Sequence, residues 1–261
     1  MKRTLASLLI GLSLLMGATT SVWAQDYTKG LNAYRNADYA TALEEWRPLA
    51  EKGNAKAQDG LGLMYATGKG VPKNSIAAAD WWMRAAQQNY AKSQYNLGVL
   101  YRNGDGVTQN YGVAAKWYTR AAEQGDKLAQ YALGKLYRDG LGFEKNEQLA
   151  IKWIELAAEQ GLADAQFDLA ELYGKGERTP EKMARVLKWA KLAAEDGHSK
   201  AIEGLEKAKE RLVELALADC LFENIEKVTG PETKEIVENY CRQQLQKKSI
   251  DWLWKYAPHL E

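Results

Sequence analysis

His198 directly precedes Ser199 in this chain. An imidazole beside a hydroxyl is the beginning of a nucleophile and its general base, but such a pair also needs a third group to orient the imidazole, and the sequence points to none. The only other histidine is His259. There is no HExxH pair and no paired-cysteine metal spacing. Beyond the N-terminal segment the serines are Ser75, Ser93, Ser199 and Ser249, and none has lysine three residues on, so the Ser-x-x-Lys nucleophile is missing. Gly68-Lys69-Gly70 is glycine-rich but lacks the GKS or GKT ending of a phosphate loop. The expectation is a non-enzyme with no catalytic residue, no metal ligand and no cofactor.

The elements that would position any site repeat every 36 residues. That step links Trp81, Trp117, Trp153 and Trp189; Gln58, Gln94, Gln130 and Gln166; Leu61, Leu97, Leu133 and Leu169; and Tyr65, Tyr101, Tyr137 and Tyr173. Four registered units follow, 55–90, 91–126, 127–162 and 163–198. Within one unit, Leu97, Leu100 and Tyr101 have the i, i+3, i+4 spacing of one helix, and Ala114, Trp117, Ala121 and Ala122 that of a second. Gly104-Asp105-Gly106 lies between them, and Gly125 closes the unit. Each unit is therefore a helix hairpin that leaves an apolar face bare unless a neighbour stacks on it. Small residues such as Gly98, Gly134 and Ala170 allow close approach, and the ladder tryptophan is expected to supply the bulk that fills the next gap. At the position of His198 the other units carry Tyr90, Asp126 and Leu162, which marks a turn tolerant of any residue.

The run from Ser93 to Asn110, with Leu97-Gly98, Tyr101, Gly104, Gly106 and Val107, followed by Ala114, Trp117 and Ala121-Ala122, resembles the SEL-one-like repeat family, a relative of the tetratricopeptide repeats. The resemblance covers 55–198. It implies an all-α fold, a right-handed α-solenoid of helix hairpins whose first helices line a concave face. Unit 163–198 departs from the pattern, with Arg178 in place of the second loop glycine and Thr179-Pro180 ending its loop. Cysteine-rich exported relatives described as β-lactamase-like carry a Cys pair in each repeat, and this chain has none, so a β-lactamase-like hydrolase is only a minor alternative.

If the first helices face a groove, the second, fifth, ninth and twelfth residues of each unit point into it, as the tetratricopeptide pattern implies. Those positions hold an aromatic row, Tyr95, Tyr131 and Phe167, beside a basic row, Lys92, Arg102, Lys135 and Arg138. Aromatic and arginine side chains are common anchors of interfaces. A protein or peptide partner of the cell envelope is expected there, with an acidic or carboxylate-bearing ligand running across Arg102 and Arg138. Packing alone would also account for the tyrosines. Cell-wall or exported polysaccharide is the second candidate partner, suggested by nine tryptophans.

The ends set compartment and caps. Lys2 and Arg3, the apolar run Leu5 to Leu15 and Val22-Trp23-Ala24 make residues 1–24 a secretory signal peptide. The expected location is periplasmic or secreted, with no membrane span after cleavage. Lys2 and Arg3 are two of 35 basic residues, so the remainder carries 33 against 34 acidic ones, a formal charge of −1 that offers nothing to nucleic acid. Residues 25–54 read as an N-terminal capping hairpin and 199–261 as a C-terminal helical cap. There, a long helix or two abutting ones should run from Ala201 to Val228, and Gly230-Pro231 should end it and start another. Cys220 and Cys241, the only cysteines, lie ten residues before and eleven after Gly230, opposite one another in such a hairpin. A disulfide is expected in an oxidising compartment. The aromatic tail Trp252, Trp254 and Tyr256 should cover the end of the stack.

Overall fold

The computed structural model describes residues 27–175, 180–225 and 231–248. The expected signal peptide, the loop with Arg178, the Gly230 turn and the aromatic tail lie outside these residues. The chain divides into two compact units, one running to Trp153 and the other from Ile154. All regular structure among the described residues is helical, in consecutive hairpins, the all-α solenoid class expected.

In the first unit α1 spans 27–35, α2 Tyr39–Glu51, α3 Ala55–Thr67, α4 Ser75–Gln87, α5 Ala91–Asn103, α6 Tyr111–Glu123 and α7 Lys127–Asp139. Each helix from α2 to α7 packs on the next. α8, Glu147–Glu159, includes the division point. The hairpin loops are built alike from sequence. The N–H groups of Asn74, Asn110 and Asn146 donate to the carbonyls of Tyr65, Tyr101 and Tyr137 at 2.8–2.9 Å. The same asparagines accept on Oδ1 from the backbone N–H three residues on, capping α4, α6 and α8. Gly106 in the α5–α6 loop has φ +73°, and a Cβ there would lie 2.5 Å from the carbonyl carbon of Ser75 at the start of α4. Glycine is thus required twice over, by its backbone angle and by the approach of the preceding hairpin.

The tryptophan ladder fills the gap between hairpins only in part. The buried bulky side chain is one residue later: Trp46, Trp82, Tyr118 and Ile154 stand 36 apart and are all in the core. A Cβ on Gly62 would lie 2.4 Å from the Trp82 indole, and one on Gly98 would lie 2.5 Å from the Tyr118 ring. Trp81 and Trp117 are only half-buried. One residue is about 100° around a helix, so they stand beside the buried position and pack on core clusters shared by the second helix of the preceding hairpin and the first helix of their own, α2 with α3 and α4 with α5. Their solvent sides carry Arg84 and Arg120, whose guanidinium carbons lie 4.7 and 4.9 Å from the ring centres.

The glutamine ladder is buried and ties hairpins together. Gln58, Gln94 and Gln130 donate through Nε2 to the carbonyls of Ala50, Ala86 and Ala122, at the ends of α2, α4 and α6. Gln88 and Gln124 in turn donate to Oε1 of Gln58 and Gln94, at 2.8 and 2.6 Å. Buried amides need such partners on both ends.

In the second unit α9 spans Ala163–Tyr173, α10 Pro180–Glu195, α11 Ser199–Ile225 and α12 Pro231–Gln246. α9 packs on α10, α10 on α11 and α11 on α12. α11 is one continuous helix of 27 residues, and α12 begins on the expected proline. Gln166 repeats the ladder bond, to the carbonyl of Ala158. The residue in register with Gln88 and Gln124 is here Asp196, which accepts from Gln166 Nε2 at 3.0 Å and cannot donate back. Gln166 Oε1 is accordingly buried with no hydrogen-bond partner. In α10 the ladder tryptophan, Trp189, is itself buried, and the residue after it is the small Ala190.

Candidate functional site

The first-helix residues expected to bind a partner divide into three groups. Tyr95 and Tyr131 lie on α5 and α7, both half-buried. Tyr95 is tilted against Tyr118, with ring centres 5.7 Å apart, and packs on the core of α6 and α7. Burial pushes its hydroxyl up from the usual phenol range, against a lowering effect of Arg102. Lys135 Nζ sits 4.4 Å from the centre of the Tyr131 ring. Phe167, in the second unit, stacks on His198 with ring centres 4.3 Å apart. Each aromatic is thus engaged by a neighbouring side chain.

Three of the four basic residues share one hollow. Arg102, Lys135 and Arg138 line a cavity of about 520 Å³ with Asn103, Gln109 and Tyr111 from the α5–α6 region and Asp139 on α7. Its apolar wall is Ala132, Leu136 and Leu141. Lys92 is exposed in the first turn of α5 and is not part of it. Three cations face one carboxylate in this lining. Gln109, Tyr111 and Leu141 fall outside the first-helix register and were missed by the sequence reading, since only the fold of the loop returns them beside α7.

Asp59 occupies in the first repeat the position of Tyr95, Tyr131 and Phe167. Its Oδ1 accepts from Ser93 Oγ at 2.7 Å and Asn96 Nδ2 at 3.4 Å. Burial raises its carboxyl above the ordinary range, and the Ser93 bond, Lys92 and Asn96 oppose that rise. The group is a polar link from α3 to α5. Elsewhere, His198 Nδ1 accepts from the Ala201 N–H at 3.2 Å and so caps α11, while its Nε2 lies 3.7 Å from Asp164 Oδ1. The imidazole is thus occupied structurally, not paired with a nucleophile. Among the described residues no group of His, Cys, Asp and Glu could hold a metal ion, and no helix is long and apolar enough to cross a membrane.

The Sel1 repeat model matches residues 55–90, 91–126, 127–162 and 163–198. Among solved structures, the Sel1 repeat protein from Oxalobacter formigenes is 29% identical, with 84% of each chain covered and a TM-score of 0.61. A protective antigen present in uropathogenic Escherichia coli strains, displaying an SLR fold, is 25% identical with a TM-score of 0.62. That similarity covers 92% of this chain and 50% of the antigen, so the chain spans half its length. No curated protein matches the chain.

Proposed function

The chain belongs to the Sel1 repeat family, and from that premise we propose that it is an exported, non-catalytic scaffold that binds a protein or peptide of the cell envelope on the face built by its first helices. Sel1 repeat proteins generally mediate protein–protein interaction, and their fold is typically a non-catalytic scaffold. The observation that carries the reading is the convergence of Arg102, Lys135 and Arg138 on one hollow beside the Tyr131 ring. Arginine and tyrosine concentrate binding energy at interfaces. Export is supported by Lys2-Arg3, the apolar run and Val22-Trp23-Ala24. Capture on immobilised protein from envelope extract tests the role. One stoichiometric protein is expected, and retention of peptidoglycan alone would instead favour polysaccharide binding.

Export also bears on the cysteines, for which we infer a Cys220–Cys241 disulfide. Cys241 is wholly buried on α12, and Cys220 lies on α11, the helix packed against it. Val213 and Leu217 on α11 and Leu245 on α12 are buried in the same unit. No free cysteine occurs among the described residues. Closing a loop of this size contributes about 3 kcal/mol in the chain-entropy model. Exported, unreduced protein should therefore show no alkylatable thiol under denaturing conditions, and two after reduction, when counted by mass spectrometry. Two alkylated cysteines without reductant would reject the bond.

A further inference from the structure

We propose that the hollow between the α5–α6 loop and α7 is a carboxylate-reading subsite for an acidic segment of the partner polypeptide, with Arg102 and Lys135 as the reading pair and Arg138 held back by Asp139. This rests on the protein-binding role proposed above and names the partner's chemistry.

The two arginines occupy the same position one repeat apart, yet their neighbours differ. Arg138 Nε donates to Asp139 Oδ1 at 2.9 Å and its Nη2 to Oδ2 at 3.4 Å, so both oxygens of a carboxylate already occupy its fork. The equivalent neighbour of Arg102 is Asn103, a neutral amide, whose Oδ1 accepts from Arg102 Nε at 3.1 Å. The Asn103 amide nitrogen donates to Asp105 Oδ2 at 3.2 Å, which keeps the amide oxygen turned toward Arg102. Arg102 is thus oriented without being neutralised. Neither Arg102 nor Lys135 has an acidic partner among the described residues.

A third donor stands beside them. Gln109 Nε2 donates to the Arg102 carbonyl at 2.8 Å and to Tyr111 Oη at 3.2 Å. A phenol that accepts this bond keeps its own hydrogen to donate. A guanidinium, an ammonium and a phenol O–H at one hollow suit a carboxylate, and charge-assisted bonds of this kind are the strong ones. Two uncompensated cations on a nearly neutral chain do not suit a polyanion, which needs a row of phosphate contacts. The apolar wall of Leu136 and Leu141 suits an aliphatic residue beside the acid. A sugar ring would need an aromatic face, and Tyr111 is the single aromatic in this lining.

The test titrates the full chain, without its leader, with an N-acetylated, C-amidated octapeptide carrying a central Glu-Leu-Glu, and with its Gln-Leu-Gln twin. The acidic peptide should bind about tenfold tighter, the effect of one charge-assisted contact. Arg102→Gln and Lys135→Gln should each weaken it about tenfold, and Arg138→Gln less than about threefold. Asp139→Asn, which opens the Arg138 fork, should tighten it about threefold or more, a gain that misfolding cannot mimic. The proposal falls if the twin peptides bind alike, if Arg138→Gln costs as much as Arg102→Gln, or if Asp139→Asn changes nothing. It also falls if inorganic phosphate or polygalacturonate competes better than the acidic peptide. Envelope capture separates the two readings: a partner protein retained equally by Arg102→Gln overturns the subsite alone, whereas no protein captured by the wild type overturns the scaffold role and leaves the titration to judge the hollow.

Discussion

Tyr118→Ala should destabilise the first unit by about 3–5 kcal/mol in urea or thermal unfolding followed by circular dichroism, the scale for emptying a buried aromatic site. The ring is fully buried and lies on Gly98, so no side chain beneath it can move up to fill the void. Because each hairpin stacks mainly on its neighbours, loss of this contact weakens coupling between α5 and α6 and through them the stack. Tyr118→Phe should behave oppositely. The hydroxyl is buried with no hydrogen-bond partner, and burial drives its pKa well above the phenol range. Removing it should leave stability unchanged or raise it by about 1 kcal/mol. Gly98→Ala should be destabilising alone, since its Cβ would lie 2.5 Å from the ring, and less so in the Tyr118→Ala background. Additive effects in that cycle, or a Tyr118→Ala melt like the wild type, would mean that the ring does not hold the hairpins together.

Reversing both arginines, Arg102→Glu with Arg138→Glu, should weaken partner capture at least about 100-fold, near 2.7 kcal/mol, while helicity and melting stay close to wild type. The hollow goes from three cations and one carboxylate to one cation and three carboxylates, so an acidic ligand loses the Arg102 contact and meets repulsion around the one remaining cation, Lys135. The cost to folding is small because these groups are partly solvated; the Arg138 and Asp139 side chains are 29% and 44% exposed. Affinity that survives the double reversal would move the interface to the second helices of the repeats.

Sequence alone determined the repeat. A 36-residue period in glutamine, leucine, tyrosine and tryptophan is a covalent fact, and a hairpin that cannot bury its own apolar face must stack in that period. The glycines within the loops were legible for the same reason: positive φ is a local demand, met by the residue type itself. The basic row was legible as a register, Arg102 with Arg138, although its neighbours Asn103 and Asp139 were not weighed. Tertiary structure decided which ring fills the gap. Trp117 and Tyr118 are adjacent large aromatics, and periodicity at one step per residue does not say which of them meets Gly98 and which reaches back to the preceding hairpin. That is fixed by how close α5 and α6 approach, a distance set by Gly98 twenty residues earlier. The glutamine ladder carried its register in the sequence but not its role, because its partners are backbone carbonyls eight residues back, which no side-chain pattern displays. The hollow is likewise a product of folding: its donors come from α5, the start of α6 and α7, and only the return of the chain by one full repeat sets Arg102 and Arg138 on the same cavity.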